Sequence, residues 1–293
     1  MSKRPLIAGI GELLWDKLPE GKKVGGAPAN CVYHAACLGA EGYIISAVGN
    51  DNSGRELLSE LNNTPLHHII DKVDKPTGSV NVIIQEGIPE YTITENTAWD
   101  FIPVSNKSLS LMKKIDALCY GSLACRNNVS HNTIITLLKH ANPSSLRLYD
   151  INIRGEYYSK ELVVELLHYA NIFKINKEEA IILKNMMGRD ISDKVLSEIL
   201  MEKYNLKYLI ITNGSIDSTI YAENESSTIR TPYINISDTI GAGDAFAGAF
   251  LYFTLVNMPL AEAHQMAVNT ASFVCTQSGA WPKYPKELSG YKL

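Results

Sequence analysis

Along most of the chain, short apolar runs alternate with segments in which apolar residues recur at helical spacing. The runs at 5–10, 42–48, 116–121, 146–151, 171–175 and 207–212 predict buried strands. The periodic segments at 28–38, 53–62, 130–140, 159–169, 177–187 and 192–203 predict amphipathic helices, and further helices follow at 243–256 and 260–276. This alternation implies βαβ units, hence a parallel sheet with helices on both faces. Local signals support single helices. Ser53 and Glu56 have capping-box spacing, with Leu57, Leu58 and Leu61 supplying the core face. Pro259 falls in the first turn of the last helix, where a missing N–H is harmless.

One stretch breaks the alternation. Residues 78–95 (GSVNVIIQEGIPEYTITE) read as two strands around Glu86-Gly87-Ile88-Pro89, with no helix beside them. Such a hairpin is either a sheet edge or a small lid closing over a ligand. Val80, Val82 and Ile84 would give it one apolar face, suited to a lid shared between two subunits or to packing on the body.

Composition narrows the function classes. The 293 residues are 45% apolar and 20% charged, ordinary for a globular protein, and no repeat, low-complexity tract or linker divides them. With 27 basic against 31 acidic residues the formal net charge is -4, so neither a nucleic acid nor an anionic membrane is an expected partner. The longest apolar stretch, 245–258, is broken by Gly248, Thr254 and Asn257 and falls short of the roughly 18 residues a membrane span needs. Five cysteines, an odd number with no C-x-x-C spacing, fit a reducing compartment. The expected location is the cytoplasm, and the expected partner is a small molecule.

The strongest chemical signal is Ser237-Asp238-Thr239-Ile240-Gly241-Ala242-Gly243-Asp244, a glycine turn opening an apolar helix. Backbone N–H groups at 241–243 and the helix N-terminus suit an anionic phosphate. A carboxylate there repels such a ligand unless it accepts a proton from the group attacking the phosphate; otherwise Asp244 is an ordinary acidic residue at a helix start capped by Asp238 or Thr239. No Walker sequence occurs, and Gly9-Ile10-Gly11-Glu12-Leu13-Leu14 lacks the third glycine of a dinucleotide fingerprint.

Upstream, Gly25-Gly26-Ala27-Pro28-Ala29-Asn30 pairs a glycine turn with an amide able to donate to and accept from a sugar hydroxyl. Asp16 follows the first strand, either as a hydroxyl acceptor or as a solvated loop charge. Asp150-Ile151-Asn152-Ile153-Arg154 and Asn176-Lys177-Glu178-Glu179 both leave strand ends. Asn176 and Glu179 read as a capping box or as a polar shell for the waters of a phosphate-bound Mg²⁺. Arg126 is open between a phosphate or sugar contact and a surface charge, and His67-His68 reads as a surface pair.

In this order, GGAPAN at 25–30, VGNDNSGRELL at 48–58, DINIR at 150–154, KINKEE at 174–179, ITNG at 211–214 and DTIGAGD at 238–244 resemble the ribokinase-like (PfkB) sugar kinases over nearly the whole chain. Within that family GGAPAN, the Gly121-Ser122-Leu123 to Arg126 segment and Ala98-Trp99-Asp100 are most similar to fructokinases. The resemblance implies a single three-layer α/β/α sandwich over 1–293 with a small β-sheet lid from about 12–26 and 76–103, using ATP and Mg²⁺. It makes Asp244 the base and the amides of Gly241, Ala242 and Gly243 an anion hole. Asp16, Gly26, Asn30, Arg126 and Asn152 would hold the sugar. Asn176 and Glu179 would order the Mg²⁺ waters, with Asn176, Thr212, Gly214, Asn269 and Gly279 bounding the nucleotide. Backbone carbonyls near Asp238, Ile240, Val274 and Gly279 would supply a K⁺ site, and the lid would join a homodimer.

The chain departs from the family pattern at Ile151, in place of a common proline, at Asp217, where a second glycine is usual, and at Ile240, where Thr is frequent. Ala27-Pro28 puts no cation beside the glycine pair, which argues against an already phosphorylated substrate. The alternatives are a ribokinase, 2-keto-3-deoxygluconate kinase or nucleoside kinase, a catalytically silent sugar-binding regulator and, weaker still, a nicotinamide dehydrogenase.

Overall fold

The computed structural model describes residues 3–18, 21–85 and 88–285, with the side chains of 82–91 outside that description. In chain order the first elements are β1 (Leu6–Ile10), β2 (Leu14–Leu18), β3 (Gly21–Gly25), α1 (Ala27–Leu38), β4 (Glu41–Gly49), α2 (Asn52–Leu61), β5 (His67–Val73), β6 (Gly78–Gln85) and β7 (Ile88–Ile93). Next come α3 (Asn106–Met112), β8 (Ala117–Gly121), α4 (Asn128–His140), β9 (Leu146–Asp150), α5 (Lys160–Leu167), β10 (Ile172–Asn176), α6 (Lys177–Met187) and α7 (Asp193–Tyr204). The chain closes with β11 (Tyr208–Asn213), β12 (Asp217–Ala222), β13 (Ser226–Arg230), α8 (Ala242–Leu255) and α9 (Leu260–Cys275).

A large sheet runs β13-β12-β11-β10-β9-β8-β1-β4-β5, parallel from β11 to β5 and antiparallel at β12 and β13. Its inner strands β1, β8, β9 and β10 are buried on both sides, as a sheet covered twice requires. Successive residues face opposite layers: Ile7, Ile44, Cys119, Leu148 and Ile172 share one buried cluster, while Ala8, Ile45, Tyr120, Tyr149 and Phe173 share the other. α1, α8 and α9 cover the first face, and α4, α5 and α7 cover the second. A separate sheet, β3-β2-β6-β7, takes its strands from the two segments expected to form the lid.

Several local expectations change. α2 is capped by Asp51, not by Ser53 and Glu56. The Asp51 carboxylate accepts from Gly54 N at 2.7 Å and from Thr77 N and Oγ1 at 2.9 and 2.7 Å, so the long-range tie to Thr77 selects the earlier cap. Pro259 sits at the N-cap of α9, one position ahead of the helix. β5, α3, β12 and β13 were not expected; β12 and β13 (DSTIYA, SSTIR) are Thr- and Ser-rich and lack an apolar run. His67 and His68 are exposed on β5, at the sheet edge. The apolar face expected from Val80, Val82 and Ile84 lies partly outside the described residues, as does the turn at Glu86-Gly87, whereas Val80 is buried. All five cysteines are free thiols, and among the described residues no helix is long and apolar enough to cross a membrane.

Candidate active site

From β1 the chain builds the sheet outward through β4 and β5, then returns to build through β8, β9, β10 and β11 on the other side. The order reverses between β1 and β8, and ligands of open α/β sheets gather beyond the strand ends at such a switch. A cavity lies there, lined by Glu12 after β1, Gly121 at the end of β8, Asp150 and Asn152 at and after β9, and Ala27, Pro28 and Asp244 from the helix starts.

The turn before α8 depends on its glycines. Gly241 caps the helix in the left-handed conformation at φ 77°, and a Cβ there would press on Ala280. The expected side-chain cap from Asp238 or Thr239 is absent. Instead the Asp238 carboxylate accepts from Ile240 N at 2.6 Å and Gly279 N at 2.8 Å, tying the turn to the segment after α9. The first bond of α8 runs from Ala245 N to Gly241 O at 2.8 Å, so the amides of Gly243 and Asp244 have no intrahelical acceptor. Ala242 N–H bends back to Thr239 O in a long 3.3 Å bond.

Asp244, in the first turn of α8, accepts from Asn30 Nδ2 at 2.8 Å. Burial, reinforced by the charge of Asp150, pushes its carboxyl up to about 6 against the opposing effects of Asn30, Lys174 and Arg154. Asp16 is raised to about 6 by burial and by the charges of Asp244 and Asp238, so the fold brings Asp16 and Asp244 into one electrostatic neighbourhood. Two glycines allow this approach. A Cβ on Gly25 would collide with the Asp16 carboxylate, and one on Gly26, at φ 119°, with the Glu12 carbonyl.

On the other side of the cavity, Lys174 Nζ donates to Asp150 Oδ2 at 2.7 Å inside the protein and lies next to Gly243. Burial alone would lower the Lys174 pKa, yet the charge and hydrogen bond of Asp150 raise it overall. Asn176 and Glu179 form the capping box of α6: Glu179 N donates to Asn176 Oδ1 at 2.8 Å, and Asn176 N to Glu179 Oε2 at 2.7 Å. The second Glu179 oxygen accepts from Ile153 N at 2.9 Å, pinning the 150–154 loop, in which Asn152 takes φ 43°. Burial and the Asp150 charge raise the Glu179 pKa, a negative field that a nearby cation relieves. Among the described residues no three acidic, His or Cys side chains are grouped to hold a metal directly. A Mg²⁺ reached through its waters fits this donor set, since that ion keeps several waters.

Arg126 is no surface charge. Its Nε and Nη2 grip both Asp100 oxygens at 2.7 and 2.9 Å, Nη2 also donates to Thr94 O at 2.6 Å, and the guanidinium lies 4.0 Å from the Trp99 ring centroid. It therefore ties the end of β7 to the body, while Nη1 is buried without an acceptor among the described residues. Thr212 is register partner to Asn176 at the strand ends, and Gly214 O accepts from Thr231 Oγ1 at 2.9 Å. Asp217 already belongs to β12 and accepts from Asn213 Nδ2 at 3.1 Å, so the turn at 214–216 needs no second glycine. Asn269 is exposed on α9, accepting from Gln265, and Gly279 takes φ 80°. The Val274 carbonyl already accepts from Gln277 N at 2.9 Å, while Ile240 lies in the turn held by Asp238.

Three site residues escaped the sequence reading. Lys174 is a charge inside an otherwise apolar strand, and Glu12 follows the first strand, signals that were available. Trp281, whose Nε1 donates to Oδ1 of Asn30, carries no local signal.

The pfkB family carbohydrate kinase profile matches residues 20–287. A putative sugar kinase of Pyrococcus horikoshii is 28% identical over 98% of this chain and 96% of its own. The structure of a sugar kinase from the same organism in complex with ATP superposes with a TM-score of 0.81 at 27% identity, covering 96% of each chain. A probable fructokinase-5 of Arabidopsis thaliana is 27% identical over 100% of this chain and 98% of its own. Full-length likeness to kinases sets aside the silent regulator and the dehydrogenase. The chain belongs to the pfkB family of carbohydrate kinases and is a sugar phosphotransferase.

Proposed function

We propose that the protein is an ATP-dependent fructokinase. The observation that carries this reading is the Asp244 carboxylate, set between the open amides of α8 and the cavity at the strand switch and held by Asn30. A fructose hydroxyl oxygen attacks the γ-phosphorus, the bond from that phosphorus to the bridging oxygen breaks, ADP leaves, and the hydroxyl proton passes to Asp244. The amides of Gly241 and Gly243, joined by Ala242 when it releases Thr239, stabilise the charge on the moving phosphoryl group. Asp16, Gly26, Asn30 and Asn152 hold the sugar, with Arg126 Nη1 at its edge. Thr212, Gly214, Asn269 and Gly279 bound the nucleotide.

Asn176 and Glu179 orient the waters of the nucleotide's Mg²⁺, whose chemistry is neutralisation of phosphate charge. Support for ATP comes from the solved relative in complex with ATP, and support for fructose from GGAPAN, the Gly121–Arg126 segment, Ala98-Trp99-Asp100 and the fructokinase-named relative. Carbonyls near Asp238, Ile240, Val274 and Gly279 form the K⁺ site of this reading, tested by comparing rates in K⁺ and Na⁺. The small sheet serves as lid and dimer contact, and the enzyme works in the cytoplasm. A monomer by light scattering at micromolar concentration overturns the dimer.

The test is ADP release with Mg²⁺ and ATP across fructose, ribose, glucose, mannose, 2-keto-3-deoxygluconate, fructose 6-phosphate and adenosine. Fructose-dependent turnover is expected. Turnover on another acceptor alone reassigns the substrate and keeps the chemistry, and no turnover on any overturns the reading.

A further inference from the structure

Glu12 stands just past β1 and is 3% exposed, yet among the described residues it makes neither a helix cap nor an ion pair. Glu12 lines the same cavity as Asp244, Asp150 and Asn152. Its Oε2 is buried with no hydrogen-bond donor among the described residues. An unpaired polar atom in a dry interior is unfavourable, and persists where a ligand completes it.

The surrounding charges say which ligand. Asp244 acts on Glu12 as a like charge, and Arg126 and Arg154 as opposite ones. Nε and Nη2 of Arg126 are held by Asp100 and Thr94, which leaves Nη1 unpaired among the described residues, and Lys174 is held by Asp150. Burial raises the Glu12 carboxyl to about 7, so near neutrality it both donates and accepts, as a hydroxyl does. An anionic group in its place would meet Glu12 and Asp244 together.

We propose that Glu12 is a sugar-recognition residue: its Oε2 pairs with one hydroxyl of a neutral polyhydroxy substrate, and the Glu12 and Asp244 carboxyls together turn away sugar acids and sugar phosphates. This rests on the reading that the acceptor sugar lies beside Asp244.

The experiment compares wild type, Glu12→Gln and Glu12→Leu on fructose, its single-deoxy analogues, 2-keto-3-deoxygluconate and fructose 6-phosphate. It records kcat, KM for sugar and for ATP, and sugar binding by calorimetry. Glu12→Leu raises the fructose KM by about 10- to 100-fold with the ATP KM within about twofold, whereas Glu12→Gln, which keeps a donor and an acceptor, stays within about fivefold. One deoxy analogue loses as much on wild type as fructose loses on Glu12→Leu, and loses nothing further on that variant. A fructose KM unchanged in Glu12→Leu, losses additive for every analogue, or wild-type preference for the acid or the phosphate overturns the proposal. If wild type phosphorylates only a different neutral sugar, the fructose reading fails, and calorimetric binding of that sugar to wild type and Glu12→Leu decides the role of Glu12 separately.

Discussion

Asn30 donates from Nδ2 to Oδ2 of Asp244 at 2.8 Å while its Oδ1 accepts from Trp281 Nε1 at 2.6 Å. Indole nitrogen is donor only, so Trp281 dictates which end of the amide faces the carboxylate. The Asn30 amide thus favours the ionised form of Asp244, against burial. Trp281 is itself stacked on Tyr33 at 4.6 Å between centroids, and Tyr33 OH donates to Pro282 O at 2.8 Å. Trp281→Phe keeps the stack and frees the amide to turn. It is expected to lower kcat about three- to tenfold with a smaller change in ATP KM, the weight of one hydrogen bond. Equal kcat in steady-state assays would remove Trp281 from the site.

Asp244→Ala is expected to lower kcat by about 10² to 10⁴, with a smaller effect on sugar affinity. Near-normal turnover would sink the assignment of Asp244 as base. Because the folded protein raises this carboxyl to about 6, the ionised group is unfavourable in the native state at neutral pH. Asp244→Asn is therefore expected to gain stability, by about 1–3 kcal/mol, as it loses activity; denaturant titration at pH 7.5 reads the change.

The base must be ionised to accept a proton, so kcat/KM is expected to fall as pH drops through about 6. Asp16, also raised to about 6, titrates in the same window and steepens the limb. A pH–rate profile of Asp16→Asn should be shallower than wild type. A profile flat down to pH 5 would place the base elsewhere.

His264 sits buried between two hydroxyls, with Ser218 Oγ at 2.7 Å from Nε2 and Ser227 Oγ at 2.8 Å from Nδ1, joining α9 to β12 and β13. Burial lowers its pKa to about 4, from an ordinary value of 6.5. The unfolded chain then binds the proton first on acidification, so this contribution to stability is present above about 6.5 and lost as pH falls toward about 4. Glu12, Asp16 and Asp244, raised in the fold, slope the opposite way. Thermal midpoints of wild type minus His264→Gln therefore isolate the histidine: the difference should shrink between pH 7 and 5.

The Arg126–Asp100 pair, with side chains 5% and 1% exposed, holds the guanidinium that donates to Thr94 O just after β7. Removing one partner strands the other charge, so Arg126→Met or Asp100→Leu alone should cost about 3–5 kcal/mol in urea unfolding. The double variant should lose clearly less than the sum. Additive losses would show that the two charges do not depend on each other.

The alternating strands and helices, the glycine turn before Asp244 and the Asn176–Glu179 capping box were legible because each signal spans a few neighbouring residues. Periodicity sets which face of a segment is apolar, and a turn needing positive φ selects glycine wherever the chain goes next. The same locality hid the rest. Ser53 and Glu56 have the spacing of a capping box, yet Asp51, tied to Thr77, is the cap. β12 and β13 are too polar to announce themselves and exist because β11 offers them an edge. For Arg126 the sequence leaves a phosphate or sugar contact and a surface charge both open, and only the contacts with Asp100, Trp99 and Thr94 show that it is buried. Asn30, Asp244 and Trp281 lie 214 and 251 positions apart, beyond any pattern along the chain. Sequence determined which groups exist and which local turns present them. Tertiary packing alone decided which carboxyls are stripped of water, which have partners, and which, like Glu12, keep an oxygen without a donor among the described residues.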